Sequence, residues 1–164
     1  MVIGDDDAVT TVTGFSQAAV DVIGIDLSDL NTEISNNLRD STNDVTSGNA
    51  IVFLSLADGA TVTAGSVDAS ANLIKFTDTT GLNNITDLTY NITIDANTGN
   101  AADAIMGMFY DADDGAASLI YIVDAGAATN KNLNSTAAGE TVLANFTMTG
   151  AEYTALTVNN FDFV

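Results

Sequence analysis

The residues best suited to chemistry are two acidic clusters. Asp111, Asp113 and Asp114 lie in one short segment before Gly115, and Asp5, Asp6 and Asp7 follow Gly4. Carboxylate oxygens on tight loops are the ligands that Ca²⁺ prefers, and Ca²⁺ takes six to eight of them. Both clusters are therefore candidate Ca²⁺ ligands. A complete EF-hand loop is excluded because its twelfth position, Ile122, carries no carboxylate.

Catalytic chemistry has few other residues to draw on. The chain has no histidine and no cysteine, which removes the commonest general base, thiolate ligands and disulfides. Serines without a histidine partner and tyrosines on apolar stretches indicate packing rather than reaction. We therefore expect a protein that is not an enzyme.

The charge balance restricts the partners. Three basic residues stand against 22 acidic ones, for a net charge of −19. Such a chain repels nucleic acid and anionic lipid. No apolar run approaches the length of a membrane span, and the N-terminus lacks the basic and apolar regions of a cleaved signal peptide.

Local patterns predict a single β-rich domain over residues 1–164, mainly antiparallel and sandwich- or roll-like, with two short helices. Strands precede residue 27, a helix capped by Ser28 or Asp29 spans 28–39, and a β-rich body fills 40–164. The second helix is predicted from Leu82 to about Asn91. Asp111 to Gly115 is the turn of a hairpin between strands 104–110 and 118–123.

The end of the chain carries three further predictions. Residues 141–148 alternate Val142, Ala144, Phe146 and Met148 on one face of a strand, Glu152 to Leu156 form a helical turn, and Phe161 to Val164 form a closing strand.

Several segments together resemble RTX-type proteins, which bacteria export by type I secretion. Residues 9–15 and 21–30 resemble the segment that follows the glycine-rich repeats, and the hairpin of residues 104–123 is similar to paired strands near the end of those proteins. The apolar end, Phe161, Asp162, Phe163 and Val164, resembles their uncleaved C-terminal secretion signal. No complete nonapeptide repeat is present.

This resemblance implies a C-terminal domain of a larger extracellular or cell-surface bacterial protein, such as a haemolysin-like or surface-layer protein. The domain would engage the type I secretion apparatus, cap a Ca²⁺-binding β-roll and depend on Ca²⁺ for folding. Two alternatives stay open. One is a module that self-associates into a surface layer or filament, with strand 141–148 as an exposed edge. The other is a cohesin-like or carbohydrate-binding β-sandwich, in which Glu140 to Thr147 is similar to a late cohesin strand.

Overall fold

The computed structural model describes residues 2–3, 9–15, 21–28, 30, 45–46, 48–62, 71–95, 103–124, 130–134 and 139–164. These ranges contain twelve β-strands, one complete short α-helix and two 3₁₀ turns, so the prediction of a mainly β fold is confirmed. Of the helix predicted over 28–39, only Ser28 and Leu30 are described; both are helical, as is Leu27 before them. Asp26 caps them by accepting a hydrogen bond from the Ser28 backbone N–H at 2.9 Å, so the cap lies two residues before the predicted Ser28.

A six-stranded mixed sheet forms the centre of the fold. Its strands, in spatial order, are β2 (Thr10–Val12), β11 (Gly139–Thr147), β9 (Ala116–Asp124), β8 (Asp103–Asp111), β6 (Leu73–Phe76) and β4 (Phe53–Leu56). The β8–β9 pair is antiparallel, as predicted for the hairpin, and the β9–β11 pair is antiparallel too. The β2–β11, β6–β8 and β4–β6 pairs are parallel, so the central sheet is mixed and not mainly antiparallel as predicted. Parallel partners need crossover connections, which leave no hairpin pattern in the sequence.

Two three-stranded sheets complete the described fold. In one, β1 (Val2–Ile3), β3 (Ile23–Ile25) and β12 (Phe161–Phe163) are all parallel. In the other, β10 (Asn130–Asn134) is antiparallel to β7 (Tyr90–Asp95), which is parallel to β5 (Ala60–Val62).

The central sheet buries apolar side chains on both faces. Along β8, Met106 and Met108 enter the core that includes β1, β3 and β12, whereas Ile105 and Phe109 enter the core that includes Tyr90 of β7. This alternation follows from the two-residue repeat of a strand. A strand apolar on both faces reads as a continuous run in sequence, as the 104–110 segment does.

The helix predicted from Leu82 to Asn91 is wrong. The chain makes a 3₁₀ turn at Ile85–Asp87 and then enters β7. The Asn84 side chain accepts a hydrogen bond from the Thr86 backbone N–H at 2.9 Å, and Asp87 accepts one from the Asn83 backbone N–H at 2.9 Å. Such side-chain bonds to nearby backbone compete with helix formation.

Strand β11 departs from the predicted alternation at one point. A register shift between Val142 and Ala144 places Val142 against the core of Tyr90, while Ala144, Phe146 and Met148 join the opposite core. A bulge has this effect because one extra residue reverses the side-chain directions that follow it. The predicted exposed edge at 141–148 is also wrong, because β2 and β9 flank β11 on its two sides.

The predicted turn at 152–156 is observed as helix α1 (Gly150–Ala155). Thr149 and Glu152 close it with a capping box. In the part of the chain that the structure describes, no helix is long and apolar enough to cross a membrane.

Candidate functional site

The hairpin turn between β8 and β9 carries the first predicted cluster, and the predicted hairpin is confirmed. Asp111 is the last residue of β8 and is only 8% exposed. Its Oδ1 atom accepts hydrogen bonds from the backbone N–H groups of Asp113 and Asp114, each at 3.0 Å. One carboxylate oxygen of Asp111 therefore stabilises the turn, and the turn closes with protein groups alone.

The structure places the other predicted Ca²⁺ ligands differently. Asp113 and Asp114 are exposed on the turn, and Asp5, Asp6 and Asp7 lie outside the described residues. Within the described ranges, no three acidic, histidine or cysteine side chains are grouped so that they could hold one metal ion. Ca²⁺ binding therefore stays a prediction for both clusters.

The predicted secretion signal is a core strand in the folded chain. Phe161 and Phe163 are 5% and 2% exposed, while Asp162 and Val164 point outward. Strand β12 pairs in parallel with β3, and the ring of Phe161 meets that of Phe53 edge to face at 5.6 Å. The alternation of aromatic and exposed residues is that of a strand with one buried face.

Long-range contacts hold this end of the chain in place. The Asn160 side-chain amide donates to the Asp21 carbonyl oxygen at 3.2 Å, across 139 positions of sequence. The Val164 backbone N–H donates to Ile25, and the Val164 carbonyl oxygen accepts from Leu27. The last residues therefore complete the fold instead of extending from it.

Sequence reasoning missed a buried lysine that anchors the C-terminal segment. Lys75 lies on β6, is 7% exposed, and donates from Nζ to the carbonyl oxygens of Thr154 at 3.1 Å and Leu156 at 2.9 Å. These carbonyls end α1, where a positive charge is favourable. Burial lowers the pKa of the Lys75 amine, because it penalises the charged form. The sequence gives one indication of this role: Lys75 is the only charged residue in the mostly apolar run 71–76.

Tyr153 lies beside this lysine and is completely buried. Its hydroxyl lies 2.5 Å from the Phe76 carbonyl oxygen and 2.8 Å from that of Met108, so it bridges β6 and β8. Burial is the main cause that raises the pKa of Tyr153, and the charge of Asp78 adds to it. Lys75 and Tyr153 together fasten α1 to the central sheet.

A second tyrosine pairs with an acid on the other side of the sheet. The Tyr90 hydroxyl donates to Glu140 Oε1 at 2.5 Å. Burial first, and then the bond and the charge of Glu140, raise the pKa of Tyr90. The pair joins β7 to β11, which is a structural role.

Comparison with known proteins found no match: no family model, no curated protein and no solved structure is similar to this chain.

Proposed function

We propose that this chain is a non-catalytic C-terminal secretion and capping domain of an extracellular bacterial protein that a type I apparatus exports. The observation that carries the proposal is the burial of Phe161 and Phe163 in β12. An export signal made of these residues is readable while the chain is unfolded and hidden once it has folded. Folding would then follow export.

The topology supports this order of events. β12 pairs with β3, near the other end of the chain, so the parallel sheet closes only when both ends are available. Contacts between distant segments form slowly, because the loop between them must close first. The net charge of −19 opposes compaction further when few cations are present.

The capping role has its own support. The sheet of β1, β3 and β12 is entirely parallel, and β1 occupies its edge. A parallel β-roll presents strands of the same kind, and an edge strand offers unpaired backbone groups to such a neighbour. The roll would supply the Ca²⁺ sites that the resemblance implies.

Export from a bacterium that carries a type I exporter for a surface-layer protein tests the proposal. We expect the full chain in the medium and a variant without residues 161–164 inside the cells. Because this deletion also removes a core strand, Leu119→Ala is the control: it opens a cavity in the core, at a cost of about 2–5 kcal/mol, and leaves the end intact.

The two variants separate signal from stability. If the proposal is right, Leu119→Ala is exported at least as well as the unaltered chain, since the exporter accepts unfolded chains. Export of the deletion variant at the unaltered level would refute the signal. Equal retention of both variants would show that loss of stability, rather than loss of a signal, keeps them inside.

A further inference from the structure

One part of the central sheet, on the face of the Tyr90 core, carries a cavity lined by both polar and apolar residues. Asn145 of β11 pairs with Thr11 of β2 on one side and with Ser118 of β9 on the other, and Ser118 pairs with Phe109 of β8. These four residues form a row across four strands. A second row places Thr147, Ala116 and Asp111 side by side.

The cavity over these rows has the size of a small-molecule site. Its volume is about 360 Å³, within the roughly 300–1,000 Å³ that such sites occupy. Asn84 and Ile85, from the 3₁₀ turn region, form a wall, and Val142 provides a second partly exposed apolar surface.

The lining leaves hydrogen-bonding capacity unused. Asp111 is more than nine-tenths buried and lines the cavity, and its Oδ2 atom has no partner among the described residues. Oδ2 is therefore available to accept a hydrogen bond from a molecule in the cavity. Asn145 accepts from the Ser118 hydroxyl at 2.7 Å through Oδ1, which leaves its amide N–H groups to donate.

These groups define the chemistry of the ligand. Cation sites are lined by acceptors, whereas this cavity offers amide and hydroxyl donors together with the Asp111 and Asp114 carboxylates. A polyol both donates and accepts, and the C–H face of a sugar ring packs against apolar side chains such as Ile85 and Val142. The net charge of −19 disfavours an anionic ligand.

We infer that this cavity binds a neutral saccharide, with Asp111 Oδ2 and the Asn145 amide as its principal hydrogen-bonding groups. The site does not depend on the secretion role. The chain has no tryptophan, so recognition depends on hydrogen bonds in a cavity rather than on stacking over a flat aromatic surface.

The test is an NMR titration of the full chain with maltotriose, cellotriose, mannotriose, triacetylchitotriose and lactose, with sialyllactose as the charged counterpart of lactose. At least one neutral sugar should cause saturable shifts at the backbone amides of Ser118, Asn145 and Thr147. If lactose binds, sialyllactose should bind more weakly.

Two variants and a matched control locate the site. Asp111→Asn retains an oxygen for the turn but removes the charged acceptor, and Thr147→Val removes an exposed hydroxyl. Each should weaken binding, Asp111→Asn by about tenfold or ~1.4 kcal/mol. Thr141→Val makes the same change on β11 outside the cavity and should leave binding unchanged.

Three results would overturn the inference. The first is that no neutral sugar in the panel shifts these amides. The second is that both cavity variants bind as tightly as the unaltered chain. The third is that Ca²⁺ alone, at constant ionic strength, saturates these amides while the sugars have no effect.

Discussion

The Lys75 ammonium nitrogen lies 5.2 Å from the centre of the Tyr153 ring. The lysine comes from the central sheet and the tyrosine from α1, so this contact joins the last helix to the sheet. A cation over an aromatic face is stabilised by the ring quadrupole, and more strongly where water is excluded. One of the three basic residues of this acidic chain therefore has a structural role in the core, where it holds α1 against the sheet.

Replacing Lys75 with Met tests this anchor. The change removes the bonds to the Thr154 and Leu156 carbonyls but also removes the cost of burying a charge, so the two effects offset each other in global stability. We expect the free energy of unfolding to change by less than about 1 kcal/mol. Locally, amide exchange at Tyr153 and Leu156 should become about tenfold faster, because α1 opens more easily. Hydrogen exchange read by NMR measures both quantities.

The exchange rate of the backbone amide of Ile120, on β9, provides the internal reference for this variant. Equal acceleration at Ile120 and Leu156 would mean that the lysine stabilises the whole fold and does not anchor one segment.

Close packing of β8 on β9 leads to a second prediction. A Cβ atom added to Gly107 would lie 2.9 Å from Ile120 Cγ1 and 3.3 Å from Ile122 Cδ1. Gly107→Ala should therefore destabilise the fold by about 1–3 kcal/mol through overpacking. Gly139→Ala, on β11, meets no atom within 4 Å and should stay within about 0.5 kcal/mol. Denaturant unfolding compares them, and equal effects would contradict the packing argument.

The sequence predicted features that depend on neighbouring residues. The hairpin at 111–115 follows from Asp and Gly at adjacent turn positions, and the buried strands follow from their apolar runs. The pairing of β12 with β3 could not be predicted in this way, because parallel partners far apart in the chain leave no local pattern. The same reason hides the role of Lys75, whose carbonyl partners lie about 80 positions away.

The cavity could not be predicted from the sequence either, although its polar lining residues can be read there. The acidic cluster in the sequence indicates Asp111 as a candidate Ca²⁺ ligand, yet Asn145 and Thr147, which line the same cavity, belong to a strand whose pattern indicates only its apolar face. Only the register of β11 against β9 places Asn145 beside Ser118. The bulge after Val142 could not be predicted either, because no glycine or proline lies at that point of the sequence.

The charge of the chain predicts a response to salt. Because the net charge is −19, the acidic side chains repel one another, and added NaCl should screen this repulsion and raise the melting temperature. A Ca²⁺ titration after chelation, held at constant ionic strength, separates screening from specific binding. A further rise that Asp114→Asn abolishes would support Ca²⁺ at the hairpin turn. A rise that this variant leaves unchanged would assign the ion to other residues. A melting temperature that falls with NaCl would contradict the screening argument.

The two buried tyrosines predict a loss of stability in alkali. Burial raises the pKa of both Tyr90 and Tyr153 in the folded chain, whereas unfolded tyrosines ionise near pH 10. Above that pH the unfolded state releases protons that the folded state retains, so stability falls as the pH rises. Each tyrosine contributes at most ~1.4 kcal/mol per pH unit. Lys75 has the opposite effect on stability. Because its pKa is lowered in the folded chain, the folded state loses this proton first, and stability rises with pH until the unfolded lysine loses its proton as well.

Denaturant unfolding between neutral pH and pH about 12 measures the balance. The raised pKa values of the two tyrosines lower the free energy of unfolding as the pH rises, whereas the lowered pKa of the one lysine raises it. We therefore expect a net decline in the free energy of unfolding that begins near pH 10. Tyr90→Phe and Tyr153→Phe should each make the decline shallower, and the double variant should be shallower still. The slopes are compared rather than the absolute values, because Tyr153→Phe also loses the bonds to Phe76 and Met108 at every pH. Slopes that both variants leave unchanged would show that other groups govern alkaline unfolding.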